Sequence, residues 1–130
     1  EKIEEYRLED QLILKGNVDH AYRYYSDYAF LVLPSYREGL PLVLLEALEL
    51  GLPMVSFDIE TGPNEIIEDG KNGYLIPPYD LEQMGQRMTE LMEDASRRKA
   101  FSTYEGNKDK FSKNTILKQW IRLIEGLHEK

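Results

Sequence analysis

At 130 residues, with 42% hydrophobic and 31% charged side chains, the chain is long enough for one buried core and too evenly mixed to be disordered or fibrous. A formal charge of −8 argues against a surface built for nucleic acid, and the lack of cysteine rules out disulfides and thiolate metal sites. The lack of cysteine is compatible with a reducing compartment, so a cytoplasmic protein is expected; the apolar runs at 29–34 and 40–45 are too short to span a bilayer and the N-terminus is charged rather than signal-like, so no membrane crossing is expected.

Residues 12–18, Leu-Ile-Leu-Lys-Gly-Asn-Val, form a short apolar run closed by a Gly-Asn turn signal, which predicts a strand. A helix is predicted over 19–28, capped by Asp19, with Tyr22, Tyr25 and Ala29 on one face. The continuous apolar run 29–33, stopped by Pro34, suits a strand buried on both faces. Leu42, Leu45 and Leu48 keep helical spacing through 42–50, where Gly51 ends the helix. A second buried strand is predicted over 53–57, a short helix over 64–69, a turn at 70–73, and a strand over 73–76 ended by Pro77-Pro78. From Asp80, a helix cap, the pattern is helical over 80–94, over 96–110 with Gly106-Asn107 a candidate break, and over 114–128. Ile116, Trp120, Ile121, Ile124 and Leu127 lie on one side of the last helix.

Strands and helices thus alternate as β-α-β-α-β-α-β, and their short connections imply a parallel sheet covered on both faces. The fold class is α/β, a Rossmann-like doubly wound sheet with a C-terminal helical tail. Four strands are few for an open sheet of this class, so residues 1–130 read as a single domain that is part of something larger.

Ligands bind such sheets where strand C-termini meet helix N-termini, which directs attention to 33–42. Gly39 lets backbone approach a ligand, and Pro41, suited to the first helical position, leaves the N–H groups of Leu42 and Val43 pointing outward, an anion site in outline. Glu38 stands at the mouth of this loop. Glu46 lies about one turn into a helix otherwise made of Leu, Val and Ala. A carboxylate in so apolar a setting is costly unless hydrogen-bonded, and the vicinal hydroxyls of a ribose would satisfy both its oxygens. Glu38 has a competing structural explanation, since an acidic group near a helix N-terminus gains roughly 0.3–1 kcal/mol from the dipole alone. Gly62-Pro63 with Glu65 is either a second ligand-facing turn or a capped one, and Gly70, Asn72 and Gly73 serve turn geometry. The two histidines have no triad or metal constellation around them, and Tyr22, Tyr24 and Tyr25 are read as packing residues.

The run Pro34-Ser35-Tyr36-Arg37-Glu38-Gly39-Leu40-Pro41-Leu42-Val43-Leu44-Leu45-Glu46-Ala47-Leu48 resembles the signature of family 4 (group 1) retaining glycosyltransferases of the GT-B fold, whose motif is Glu, seven residues, Glu. The resemblance extends to Gly51-Leu52-Pro53-Met54-Val55, to Gly62-Pro63-Asn64-Glu65-Ile66-Ile67 and to Asp69-Gly70-Lys71-Asn72-Gly73-Tyr74-Leu75, covering most of residues 11–125. It implies half of a GT-B fold, short of its first strands, that binds a nucleotide-diphosphate sugar for transfer to an acceptor glycan, lipid or small molecule with retention. Glu38 would be the catalytic-site carboxylate on the donor sugar's hydroxyls and Glu46 the ribose ligand. The backbone of Gly39, Leu40, Pro41, Leu42 and Val43 would hold sugar and diphosphate, with Asn17, Val18 and Asp19 near the base. No cofactor or metal is implied.

The family's usual Arg and Lys on an upstream strand and loop have no counterpart before Leu12, so the chain by itself is expected to be inactive, with acceptor binding in an N-terminal half. The apolar side of 114–128 is expected to pack on that half or, without it, to drive self-association. The full-length protein is expected to be cytoplasmic, or peripheral at the inner membrane face. Two rival readings are a nucleotide-sugar epimerase of the same fold and a non-catalytic doubly wound interaction or regulatory module.

Overall fold

A computed structural model describes residues 2–128. Six α-helices and three strands follow in chain order: α1 (Lys2–Glu5), β1 (Leu31–Leu33), α2 (Leu42–Leu50), β2 (Met54–Phe57), α3 (Pro63–Ile66), β3 (Gly73–Ile76), α4 (Leu81–Glu93), α5 (Ala95–Ser102) and α6 (Lys113–His128). Two 3₁₀ helices, Ala21–Asp27 and Lys108–Phe111, complete the list. The strands form one parallel sheet in the order β1-β2-β3, pairing Leu31 with Met54 and Met54 with Gly73.

Side-chain alternation along the strands builds two cores. Leu31, Leu33 and Met54 face α2 and α3, joining Leu44, Ala47, Leu48, Ile66 and Ile67. Val55, Phe57, Tyr74 and Ile76 face α4 and α5, joining Met84, Leu91 and Phe101. Helices on both faces make the sheet doubly wound, with α6 as a helical tail. Every residue of β2 is buried, which explains its largely apolar run; the one polar residue, Ser56, donates its hydroxyl to the Leu33 carbonyl at 3.0 Å, whereas β1 at the sheet edge is only half-buried.

The helices with local stop and start signals fall where the sequence places them. Gly51 caps α2 in the left-handed conformation at φ 67°, with its N–H returned to Ala47 and Leu48 carbonyls. Asp80 caps α4 by accepting from the Gln83 N–H at 2.9 Å.

Other expectations are corrected. Residues 12–18 form no strand: Leu12, Ile13 and Leu14 are exposed and unpaired with β1, because apolar composition supplies no ladder partner. The described sheet therefore has three strands. Residues 19–28 hold a 3₁₀ helix rather than an α-helix. His20, at φ 56°, occupies its N-cap position without a side-chain cap bond, so Asp19 caps nothing, and Tyr22 faces solvent while Tyr25 is buried. Pro41 sits at the N-cap of α2, one residue before the first helical position. The helix expected over 96–110 ends at Ser102, where the Thr103 hydroxyl donates back to the Lys99 carbonyl at 3.0 Å. Asn107 then crosses to donate to the Ile66 carbonyl at 2.5 Å, a tie a continuous helix could not make.

Candidate functional site

The loops leaving the three strands gather at the carboxyl edge of the sheet. Residues 34–41 leave β1 and residues 58–62 leave β2, and the two loops lock together. The Thr61 hydroxyl donates to the Glu38 carbonyl at 2.6 Å. Gly62, at φ 97° and ψ −77°, sits so close that a Cβ there would lie 2.6 Å from Pro41 Cδ and 2.7 Å from the Gly39 carbonyl oxygen. Gly62 is thus required by a left-handed backbone and by contact with the candidate loop. Its neighbour Glu65 forms a loose 3.9 Å ion pair with Lys110, both about half exposed, worth little in water.

Where α2 begins, the Leu44 and Leu45 N–H groups return to the Pro41 carbonyl at 3.0 and 3.4 Å. The N–H groups of Leu42 and Val43 belong to the same first turn and have no backbone partner among the described residues. They are donors at the positive end of a nine-residue helix dipole, a setting that favours an anion.

Glu38 is half-buried and lines a cleft of about 360 Å³ with Tyr36, Arg37, Ile59, Glu60 and Thr61. Glu46 is also half-buried, and its Oε2 accepts from the Tyr25 hydroxyl at 3.1 Å. Burial first, then the hydrogen bond to Glu46, pushes the Tyr25 phenol above its ordinary value. Asn17 and Val18 line a second cleft, of about 480 Å³, along the free edge of β1 together with Lys15, Tyr24, Tyr25 and Tyr28. Asp19 is exposed and does not line it. Leu40 and Leu42 are exposed beside the helix start, Pro41 is buried and Val43 half-buried.

The residues of 38–43 are therefore grouped around the start of α2, while Asn17 and Val18 lie on a cleft joined to it through Tyr25. A third cleft, of about 510 Å³, lies between α2 and the 3₁₀ helix Lys108–Phe111, lined by Leu45, Glu49, Glu105 and Phe111. It holds none of the candidate residues, and the strand-end loops carry the chemistry.

Three features escape sequence reasoning. Tyr25 reads as packing, yet its hydroxyl engages a carboxylate 21 residues away, beyond any local spacing rule. Thr61 has no motif to mark it. Tyr36 and Tyr79 stack 4.8 Å apart over the buried Phe57, at 5.8 and 6.4 Å respectively, although 56% and 67% exposed. Their approach joins the loops after β1 and β3, with Tyr79 held at φ 69°.

The family described as "Glycosyl transferases group 1" matches residues 1–108. The chain is similar to an exopolysaccharide phosphotransferase from Streptomyces coelicolor, 37% identical over 92% of the chain and 13% of the relative. It is similar to a poly(ribitol-phosphate) alpha-N-acetylglucosaminyltransferase from Staphylococcus aureus, 33% identical over 94% of the chain and 25% of the relative. Among solved structures it resembles an S. aureus TarM variant in complex with fondaparinux, alpha-GlcNAc-glycerol and UDP, with TM-score 0.87 and 33% identity over 93% of the chain and 25% of TarM. The chain thus spans a quarter or less of the length of these proteins.

Proposed function

The chain belongs to the group 1 glycosyl transferases and has the Rossmann-like fold of a GT-B half, and from that premise we propose that it is the donor-binding domain of a longer glycosyltransferase. The observation that carries the reading is the start of α2, where the free Leu42 and Val43 N–H groups lie between Glu38 and the Tyr25-held Glu46. In this proposal the diphosphate of a nucleotide sugar sits on those N–H groups. Glu38 contacts the donor sugar's hydroxyls, Glu46 takes the ribose diol, and the cleft beside Asn17 and Val18 takes the base, with Asp19 at its rim. The TarM complex with UDP supports a nucleoside diphosphate as the common part of the ligand.

Transfer to a glycan, lipid or small-molecule acceptor then proceeds by loss of the nucleoside diphosphate. Backbone donors and the helix dipole are aimed where negative charge develops on the leaving group, so no metal or cofactor is assigned to that step. Retention of configuration, a cytoplasmic site of action and inactivity of the isolated chain are parts of the same proposal. Residues 1–130 form one domain in it, with α6 packed on an acceptor-binding half. That packing would cover Trp120, Ile124 and Leu127, which are exposed here. Among the described residues no helix is long and apolar enough to cross a membrane. The relatives compared are transferases, and neither the epimerase nor the non-catalytic reading finds support in them.

Titration of the chain with UDP, GDP and ADP, followed by NMR, tests the proposal. Shifts at Gly39 and Glu46 are expected, strongest for one base. No perturbation there at millimolar concentrations of any of the three would overturn it.

A further inference from the structure

We propose that Tyr25 is a positioning residue for Glu46, fixing the carboxylate so that it reads a ribose diol and thereby setting the preference for a ribonucleotide over its 2′-deoxy counterpart. The inference rests on the assignment of Glu46 to the ribose made above.

Tyr25 is the buried residue of its 3₁₀ helix, whereas Tyr22 and Tyr24 within it and Tyr28 just after are 41 to 49% exposed. Packing accounts for the ring but not for the hydroxyl, since a buried phenol needs a partner for its O–H and a phenylalanine would fill the same space. The partner is Glu46 Oε2, at 3.1 Å. A phenol is protonated and donates at neutral pH, and burial together with the bond to Glu46 moves its ionisation further up.

Both ends of this contact are anchored. Leu44, Ala47 and Leu48 pin α2 to the sheet at 4% exposure or less, so the backbone of Glu46 has little freedom. The remaining freedom lies in the torsions of its long side chain, which Tyr25 restricts from the opposite element. An ionised carboxylate offers about four lone-pair positions on two oxygens. The phenol uses one, on Oε2, and Oε1 has no donor among the described residues. With one position on Oε2 taken by the phenol, the second on Oε2 and those on Oε1 remain open, so both oxygens of an oriented carboxylate face two adjacent hydroxyls. Deleting either the tie or one hydroxyl spoils the match.

The experiment is a calorimetric titration of the full-length protein with three nucleotide pairs: UDP and dUDP, GDP and dGDP, ADP and dADP. Wild type is expected to bind one ribonucleotide at least about tenfold tighter than its deoxy partner, the range for a hydrogen bond to a charged group. Tyr25→Phe is expected to lose most of that ratio with its far-UV spectrum and unfolding midpoint near wild type, and Glu46→Gln to lose it as well. In the double variant the ratio should fall no further. A merely structural role for Tyr25 would weaken both members of a pair alike and leave the ratio intact. If Glu46→Gln abolishes the ratio and Tyr25→Phe preserves it, the positioning role is overturned and the ribose assignment stands. If wild type shows no preference within a pair that binds, or no pair binds, the assignment of Glu46 fails and the role of Tyr25 with it.

Discussion

Replacing Gly62 by alanine is the sharpest test of how the candidate site is held together. The backbone at φ 97° and ψ −77° lies in a region L-residues rarely enter, which costs on the order of 1–3 kcal/mol. The added Cβ would also stand 2.6 Å from Pro41 Cδ and 2.7 Å from the Gly39 carbonyl oxygen, atoms of the opposing loop rather than a flexible side-chain tip. Relieving that overlap costs roughly another 1–3 kcal/mol. The total, about 2–6 kcal/mol, is a large fraction of the stability of a domain this size. Gly70 supplies the control: its φ is 73°, but a Cβ there meets nothing within 4 Å, so Gly70→Ala carries backbone strain alone. Urea unfolding followed by circular dichroism should place Gly62→Ala below Gly70→Ala by about 1–3 kcal/mol. Nucleoside diphosphate affinity should fall for Gly62→Ala only, because the clash displaces Gly39 and Pro41. Equal stabilities for the two variants would refute the claim that the loops after β1 and β2 are locked through Gly62.

The β3 face offers two further tests. Asn72 is 3% exposed, donates to the Ile66 carbonyl at 3.2 Å and accepts from the Glu68 N–H at 2.8 Å, so Asn72→Ala empties a buried polar position and takes the partner from the Glu68 N–H, while the Ile66 carbonyl keeps its bond from Asn107. A loss of about 2 kcal/mol or more in urea unfolding is expected. Glu90 accepts from the Tyr74 hydroxyl at 2.5 Å and pairs with Arg87 at 2.8 Å, and these contacts, that of Tyr74 first, hold its carboxyl below the ordinary 4.5. A depressed folded value means the contribution is present above about pH 4.5 and lost as pH falls through the lower folded value. Burial, then the bond to Glu90, pushes Tyr74 up to about 12, so its contribution holds below pH 10.0 and disappears as pH rises through about 12. Glu90→Gln should flatten the acid limb of stability against pH, measured by thermal unfolding from pH 7 to 3; an unchanged limb would show that this cluster does not govern it.

How far the fold was legible depended on whether its cause was local. The helices α2 and α4 carry their own instructions, Gly51 for a left-handed stop and Asp80 for a capped start, and both appear as expected. β2 is buried throughout, as its largely apolar run suggests, with Ser56 tolerated because its hydroxyl donates to the Leu33 carbonyl, whereas β1, at the edge of the sheet, is only half-buried although its run is wholly apolar. Residues 12–14 have an equally apolar composition and form no strand, since a ladder needs a neighbour that sequence periodicity cannot name. The stretch after Ser102 breaks for a similar reason. Asn107 and Tyr104 bond to Ile66 and Glu68, about 40 residues earlier, and these long-range ties outweigh a helical pattern.

The candidate site divides along the same line. Gly39, Pro41 and the two glutamates could be found because the chemistry of a helix start depends on residues adjacent in sequence. The atoms that hold those groups in place come from elsewhere: Tyr25 from the element before β1, Thr61 and Gly62 from the loop after β2. For Thr61 and Gly62 a parallel sheet makes this unavoidable, because neighbouring strands end at the same edge only after a complete crossover of about a dozen residues or more, and 23 positions separate Thr61 from Glu38. Glu38 and Glu46 are eight positions apart and share one loop-helix segment, yet each is restrained by a different neighbour, Glu38 through its backbone and Glu46 through its carboxylate. The two restraints leave different freedoms. Thr61 fixes where the chain of Glu38 runs and leaves its side chain able to follow a sugar, whereas Tyr25 fixes the acceptor atoms of Glu46 themselves. In the proposed division of roles, the rigid carboxylate meets the invariant ribose and the mobile one meets the group that is transferred.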